Sequence, residues 1–260
     1  MIDLSFSIRE LEYFLLIMTR ITCFVMVAPF FSIGNVPGRV KIGIGFFISL
    51  ILYYATMPHV YPEYETIFEI ASLILREAAT GLLIGFAADM CGRIVSFSGH
   101  IIDMEMGLAM ANQFDPLTRE NATISGVLYN NLLLLMLVVT GMYRYFVSAL
   151  AETFQLIPIG AAVFNMDELL QSFITFLGDF MLLGMRVALP VFCTIMLLNA
   201  VLGILAKVAP QMNMFAVGIQ LKVFTGLMVM FVTIGLLPSI SNLIFEQMKR
   251  MIVSFVEGMM

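Results

Sequence analysis

The stretch KVAPQMNMFAVGIQLK, residues 207–222, interrupts an apolar region with a proline, two amide side chains directly after it (Gln211 and Asn213) and a lysine at each end. Long apolar segments flank it at about 173–206 and 213–238. Because proline kinks or ends a helix and amides can bond the backbone groups that a helix end leaves free, the pattern predicts the bend of a helical hairpin. The predicted bend residues are Lys207, Pro210, Gln211, Asn213, Phe215 and Lys222. A capped turn without any further role explains the two amides equally well.

The composition places this hairpin in a membrane protein. Of 260 residues, 61% are hydrophobic and 12% are charged, whereas soluble domains are about half apolar and about a quarter charged. This leaves too little polar surface to cover a water-soluble particle. The net charge of −5 is not clustered, which argues against binding of nucleic acid. The N-terminal sequence MIDLSFSIRELEYF has no basic region, so we expect no cleavable signal peptide.

The apolar segments show no strand-like alternation, and they therefore predict an all-α fold. They cover about 11–33, 42–57, 66–90, 127–150, 173–206 and 213–238. Most reach the ~20 residues needed to cross a bilayer, and 42–57 is too short. Pro190 and Pro238, in or at the end of apolar runs, predict kinks or stops.

Nearly every apolar segment also carries charged residues, each of which costs about 2.5–3.5 kcal/mol at a bilayer centre. The charges therefore line a water path, or the helices pack mainly on other protein. The distribution of Lys and Arg predicts that Lys207 lies on the cytoplasmic side and that the acidic loop 58–65 lies outside.

One stripe on the third segment combines charged and small residues at four-residue spacing: Glu77, Gly81, Gly85, Asp89 and Arg93. The two glycines allow another backbone to approach closely, and Asp89 and Arg93 form a favourable acid-to-base pair. A polar packed contact or a charge relay is one interpretation. Ordinary helix packing is the commoner explanation of such small-residue patterns.

A methionine-rich stretch, HIIDMEMGLAMANQFDPLTREN, covers residues 100–121. Gly107 and Pro116 argue against one long helix here. Unbranched methionine side chains can seal an irregular gap and yield when pushed. A loop with no special role is the simpler interpretation on composition alone, since the chain has 22 methionines.

The sequence contains no pattern typical of catalysis, of a cofactor or of a metal site. His59 and His100 have no nearby ligand partners, and Cys23, Cys91 and Cys193 match no metal or disulfide spacing. We find no Ser-His-Asp set, phosphate-binding glycine loop or pair of acids with a base. We therefore expect a protein that is not an enzyme and that binds neither a cofactor nor a metal.

Several of these stretches, taken together and in order, resemble the FliR/SpaR family of export-gate membrane proteins of type III secretion. APQMNMFAVGIQLKVFTGL, starting at Ala209, resembles the family signature through Pro210, Gln211, Asn213, Phe215, Gly218, Lys222, Gly226 and Leu227. Arg20-Ile21, the stretch from Glu77 to Gly85, MGLAMANQFDP and ETFQLIPIG extend the resemblance over about 13–240. Met142-Tyr143 stands where members often have two histidines, and Thr153 stands where a serine is usual. The Gly218 and Gly226 pattern favours the flagellar version.

The resemblance implies a non-enzymatic subunit of the protein-export channel of the flagellar type III secretion apparatus, needed for channel assembly and gating. It implies a location in the bacterial inner membrane at the base of the flagellum. The implied partners are FliP-like, FliQ-like and FlhB-like subunits, exported unfolded proteins and membrane lipid. The implied architecture is a FliP-like part, 1–172, followed by a FliQ-like helical hairpin, 173–260, in a helical assembly of kinked, charge-bearing hairpins.

The resemblance also gives the central loop, about 104–120, the role of a plug inside the channel. The implied plug residues are Met104, Met106, Gly107, Met110, Asn112, Gln113 and Phe114.

Two other classes of protein remain open at this point. One is a secondary transporter or ion channel with Asp89, Asp103 or Glu105 as its coupling site, although we find no internal repeat of the kind such proteins show. The other is a purely structural assembly scaffold.

Overall fold

The computed structural model describes residues 8–29, 31, 36–56, 61–62, 64–108, 123–209, 211 and 213–260. In these ranges the chain forms eight α-helices, one short 3₁₀ helix and no strand, which confirms the all-α prediction. The α-helices are α1 (Ile8–Val27), α2 (Gly38–Ala55), α3 (Ile67–Met106), α4 (Ile124–Val139), α5 (Met142–Leu156), α6 (Met166–Val208), α7 (Met214–Thr233) and α8 (Leu237–Glu257), and the 3₁₀ helix Ile234–Leu236 joins α7 to α8.

Within the described ranges, four helical stretches are long and apolar enough to cross a membrane. They are α2, α3, α6 and the 42-residue stretch Ala216–Glu257. The pair α4 and α5, bent by 70°, would be a fifth. The prediction that 42–57 is too short was wrong, because the helix starts earlier, at Gly38. Segment 11–33 does not qualify, because α1 ends at Val27 and carries Arg9, Glu10, Glu12 and Arg20.

Two of the candidate spans are much longer than a bilayer requires. α3 has 40 residues and α6 has 43, and at 1.5 Å per residue each is about 60 Å long, roughly twice the thickness of the hydrocarbon core. Each of them therefore has room for charged residues outside the hydrocarbon.

The two prolines expected to stop or kink helices differ in outcome. Pro190 lies inside α6, which continues through it, so a stop there was wrong. Pro238 is the second residue of α8 and follows the 3₁₀ helix that separates α7 from α8. Proline is well tolerated in a first helical turn, because its missing N–H would have no helical partner there.

The helices form two compact units built from discontinuous parts of the chain. The first contains Met1–Cys91, Thr140–Phe176 and Glu246–Met260, and the second contains Gly92–Val139 and Leu177–Phe245. The first has a core that includes the fully buried Ile17, Ile21, Phe24, Phe146 and Leu150, and the core of the second includes Ile94, Ile102, Met106, Leu137 and Ile195. The boundary expected at 172/173 lies inside α6. The division into a FliP-like and a FliQ-like part stays a prediction.

Candidate functional site

The first unit contains a completely buried ion pair between α1 and α3. The Nε of Arg20 donates to Oε2 of Glu77 at 2.6 Å, and Nη2 donates to Oε1 at 3.1 Å. Both side chains have no exposed surface. Two parallel hydrogen bonds fix the guanidinium and the carboxylate in one plane, which is the strongest arrangement for such a pair.

The pair also binds backbone groups at the end of α5 and in the turn after it. Arg20 Nη1 donates to the carbonyl oxygens of Thr153 at 3.3 Å and Ile157 at 3.1 Å. Glu77 Oε1 accepts from the N–H of Gly160 at 2.9 Å. The guanidinium carbon of Arg20 also lies 4.3 Å from the centre of the Phe154 ring. We call these residues the Arg20–Glu77 cluster, and they tie α1, α3 and the turn after α5 together.

The glycines of the α3 stripe lie where α1 and α3 meet. A Cβ added to Gly81 would collide with the carbonyl oxygen of Arg20, and one added to Gly85 would lie 3.0 Å from the carbonyl oxygen of Phe24. The structure therefore brings Glu77, Gly81 and Gly85 together on the α1 side of α3. Further along the helix, Asp89 is half-buried and Arg93 is exposed, and their pairing stays a prediction.

The second unit contains a different polar contact, between the end of α3 and the start of α4. Both carboxylate oxygens of the buried Asp103 accept from the N–H of Ser125 at 3.3 Å, and one also accepts from the Ser125 hydroxyl. Gly99 lies so close to Gly126 that a Cβ would collide with its backbone. The hydroxyl of Thr123 accepts from the N–H of Gly126 at 3.2 Å. We call these residues the Asp103–Ser125 frame.

The contacts of Asp103 give this residue a structural role. An acidic side chain that accepts from the first-turn N–H groups of a helix satisfies donors that the helix itself leaves unpaired, and it interacts favourably with the helix dipole. Asp103 therefore acts as a tertiary cap of α4, and it holds the two ends of the segment 109–122 on one scaffold. The other two carboxylates considered for ion coupling, Asp89 and Glu105, are half-buried.

The residues implied as a plug do not share one environment. Met106 is fully buried, and its sulfur occupies the space in which a Cβ on Gly226 would lie. Met104 is 64% exposed. Gly107 follows the last residue of α3 with a φ of 81°, a conformation that glycine adopts without strain. Met110, Asn112, Gln113 and Phe114 lie outside the described residues.

The bend residues lie mostly on the surface. Asn213 is the N-cap of α7, and its side-chain oxygen accepts from the N–H of Ala216 at 3.4 Å. Lys207 is exposed in the last turn of α6, where its positive charge suits the helix dipole. Gln211 is exposed, and Lys222 is half-buried. Pro210 and the side chain of Phe215 lie outside what the structure describes.

Sequence reasoning missed the partnership between Arg20 and Glu77 and that between Asp103 and Ser125. Their partners are 57 and 22 residues apart in sequence, so no local spacing signals them. Charged residues inside an apolar segment were the only available hint, because a buried charge requires a partner.

The fold and these contacts together define an all-α membrane protein in which the buried charges of the described residues are paired within the chain. The chain belongs to the family described as bacterial export proteins, family 1, whose model matches residues 11–248. This confirms the resemblance seen in the sequence.

Relatives with the same printed name match the chain over nearly its whole length. It is 29% identical over 245 residues to the flagellar biosynthetic protein FliR of Bacillus subtilis (strain 168), which covers 92% of this chain and 94% of that protein. It is 28% identical over 247 residues to the FliR of Aquifex aeolicus (strain VF5), covering 92% of each. It is 27% identical over 240 residues to the FliR of Escherichia coli (strain K12), covering 91% and 90%.

Proposed function

We propose that the chain is a non-enzymatic subunit of the protein-export channel of the bacterial flagellum, located in the inner membrane at its base. The observation that carries this proposal is the family match over residues 11–248. The names of the relatives and the high coverage of both chains support the flagellar assignment. The apolar helices support a location within a membrane.

We further propose that FliP-like, FliQ-like and FlhB-like subunits cover much of the exposed apolar surface. In the most apolar 18-residue stretch of α6, and in that of Ala216–Glu257, only 17% of the residues are buried. The same surface includes large side chains such as Phe224, 69% exposed, and Phe231, 76% exposed. Lipid or other helices must cover such a surface in the cell.

Co-expression tests the proposed partners. We expect the chain alone to aggregate in detergent, and we expect a stable, defined complex when FliP-like and FliQ-like proteins are made with it. Size-exclusion chromatography with mass measurement distinguishes the two states. A monodisperse monomer that transports a small solute in liposomes would instead support a secondary transporter.

The gating part of the proposal assigns the plug to the segment that follows Gly107. Support comes from the two anchored ends of this segment, because the Asp103–Ser125 frame joins α3 to α4 through described residues on either side of 109–122. Changes inside 109–122 should therefore leave the packing of both helices intact. Met106 belongs to that packing, so the proposed seal rests on the residues beyond it.

Deleting residues 109–116 tests the plug. We expect the complex to assemble and the resting leak of ions or small solutes across the membrane to rise. Met110→Asp should also leak, and Met110→Leu should leak less because it conserves apolar volume. The readout is membrane conductance or solute entry in cells that contain equal amounts of assembled complex.

If the deletion mutant assembles fully and its resting leak equals that of the wild type, residues 109–116 do not form a plug. Replacing 109–116 by glycine and serine at equal length is the matched control for loop length. It should leak as the deletion does, since the methionine side chain is missing in both.

A further inference from the structure

One stripe on the surface of α6 follows the spacing of a coiled-coil helix. Its residues are four, three, four, three and four positions apart, and all of them are exposed. They are Leu182, Arg186, Leu189, Cys193, Met196 and Ala200. A repeat of 3.5 residues keeps one stripe of a helix against a partner helix over several turns. We call these residues the Arg186 seam.

Arg186 is the only charged member of the seam, and no other charged residue occurs between Asp179 and Lys207. Its neighbours one turn away, Leu182 and Leu189, are 62% and 49% exposed. Within the described part of the chain, no hydrogen bond or ion pair involves the guanidinium of Arg186. The seam therefore presents an unpaired positive charge in an apolar surface.

Covering this surface removes Arg186 from water. A charge is tolerated in a buried contact only when it is paired and hydrogen-bonded. Because the described chain supplies no acceptor, the molecule that covers the seam must supply one. A carboxylate is the best match, since it accepts two parallel hydrogen bonds from a guanidinium. The charge of Arg186 thus predicts an aspartate or glutamate on the covering molecule.

The rest of the seam favours a helix as that molecule. Gly203 continues the spacing three residues beyond Ala200, and a Cβ on Gly203 would meet no described atom within 4 Å. Residues without bulk at such positions let a second helix approach closely. A single polar residue among the apolar residues of a seam also fixes the register and the choice of partner. Arg186 has this position in the seam.

We propose that the Arg186 seam is the docking site for one helix of a partner subunit, and that this helix presents an aspartate or glutamate to Arg186. The ion pair sets the register of the two helices and excludes helices that lack the acid. This proposal rests on the proposed function, because it assigns one contact within the complex of export subunits.

Photocrosslinking in the co-expressed complex locates the docked helix. The probe p-benzoylphenylalanine takes the place of Leu182 or of Leu189, one turn to either side of Arg186. Irradiated complexes are digested, and the crosslinked peptides are identified by mass spectrometry. We expect both positions to crosslink to the same helix of a partner subunit, with an aspartate or glutamate within one turn of the crosslinked residues.

Substitutions then test the ion pair itself. Arg186→Met should lower the amount of co-purified partner about tenfold or more, because the carboxylate of the partner is left buried without its counter-charge. Replacing that carboxylate by leucine in the same cells should restore the yield, because the contact is then apolar on both sides. A variant that simply fails to fold would not be rescued by a change in the partner.

Arg250→Met is the matched control, because it makes the same change at an exposed arginine of α8. Arg250 lies four residues from Glu246, whose side chain is 60% exposed. Charges in such a polar, exposed setting contribute little. The control should therefore leave the yield of partner nearly unchanged.

Equal yields of partner with Arg186→Met and with the wild type would overturn the proposal. Crosslinks to lipid, to a second copy of the chain or to a helix without an acidic residue at the contact would do the same. If the wild type itself co-purifies with no partner, the proposed function fails and this inference fails with it. Formation of the wild-type complex distinguishes the two kinds of failure.

Discussion

The Arg20–Glu77 cluster and the Asp103–Ser125 frame both hold α3 against other helices, but they do so with different chemistry. The cluster joins two opposite full charges, each also bonded to backbone groups, in a site without exposed surface. The frame uses one carboxylate, a serine and close approach at glycine, with methionine sulfur nearby. Charge pairs tolerate little displacement when buried, whereas methionine contacts adapt. The comparison therefore indicates a rigid first unit and a more adaptable second contact beside the predicted plug.

Breaking the ion pair should have the largest effect. Glu77→Ala leaves the guanidinium of Arg20 buried without its counter-charge, which typically costs about 3–5 kcal/mol. We expect the assembled complex to be lost or strongly reduced in yield. The free energy of unfolding in detergent, or the midpoint of thermal aggregation of the complex, measures this effect.

The exposed pair Lys249–Glu246 is the matched control, since its atoms lie 3.2 Å apart with 37% and 60% of the side chains exposed. Lys249→Ala should cost about 0–1 kcal/mol. The double variant Arg20→Met with Glu77→Leu should recover only part of the stability, because the N–H of Gly160 loses its acceptor. Full stability of Glu77→Ala would show that the cluster is not what holds α1 to α3.

The next largest effect separates two methionines that the sequence grouped together. Met106→Ala should cost about 2–5 kcal/mol, because it opens a cavity in a buried site. Met104→Ala should change stability by less than about 0.5 kcal/mol, since its side chain is mostly exposed. Unfolding measurements on the pair check this contrast. Equal losses would mean that Met104 is covered by a partner in the complex.

The break between helices at Val208 and Met214 and the close contact at Gly81 and Gly85 were accessible from the sequence, because they depend on local patterns. Asn213 as a helix cap follows from its residue type just before a new apolar helix, and Gly81 with Gly85 follows from a known packing pattern. The partner of Glu77 was not accessible, because Arg20 lies on another helix and only the fold brings the two together.

The departure at Thr153 is also explained only by the structure. Its carbonyl oxygen, rather than its hydroxyl, accepts from Arg20, so a threonine serves there as well as the usual serine. Met104 and Met106 are two residues apart on α3 and therefore lie on different sides of the helix, and only the fold shows that the side of Met106 is the buried one.

The same glycine-to-alanine substitution can be made beside the Arg20–Glu77 cluster and in the Asp103–Ser125 frame. The loss of stability then compares how well each contact tolerates an added methyl group. Gly81→Ala and Gly99→Ala each place a methyl group against the backbone of another helix, and overpacking of this kind costs about 1–3 kcal/mol. Gly178→Ala on α6 meets no atom within 4 Å, and it should stabilise that helix by up to about 1 kcal/mol. If Gly99→Ala is tolerated better than Gly81→Ala, the second contact is the more adaptable of the two. Thermal unfolding of the three variants gives the answer.

The smallest expected effect concerns Asp103, and it decides between a helix cap and an ion-coupling site. Asp103→Asn keeps a side-chain oxygen that can accept from the N–H of Ser125, and asparagine caps helices about as well as aspartate. We therefore expect it to lose no more than about 1 kcal/mol of stability and to retain flagellar assembly. Asp103→Ala removes the acceptor of the buried Ser125 N–H and leaves the Ser125 hydroxyl only the Met230 sulfur at 3.5 Å, so it should cost about 1–3 kcal/mol. A coupling carboxylate would give the opposite pattern, because it must bind and release a proton or balance the charge of a cation, and the neutral amide can do neither. Motility and the free energy of unfolding of both variants, measured at equal expression, test this. A stable Asp103→Asn variant without motility would assign Asp103 a role in transport rather than in capping α4.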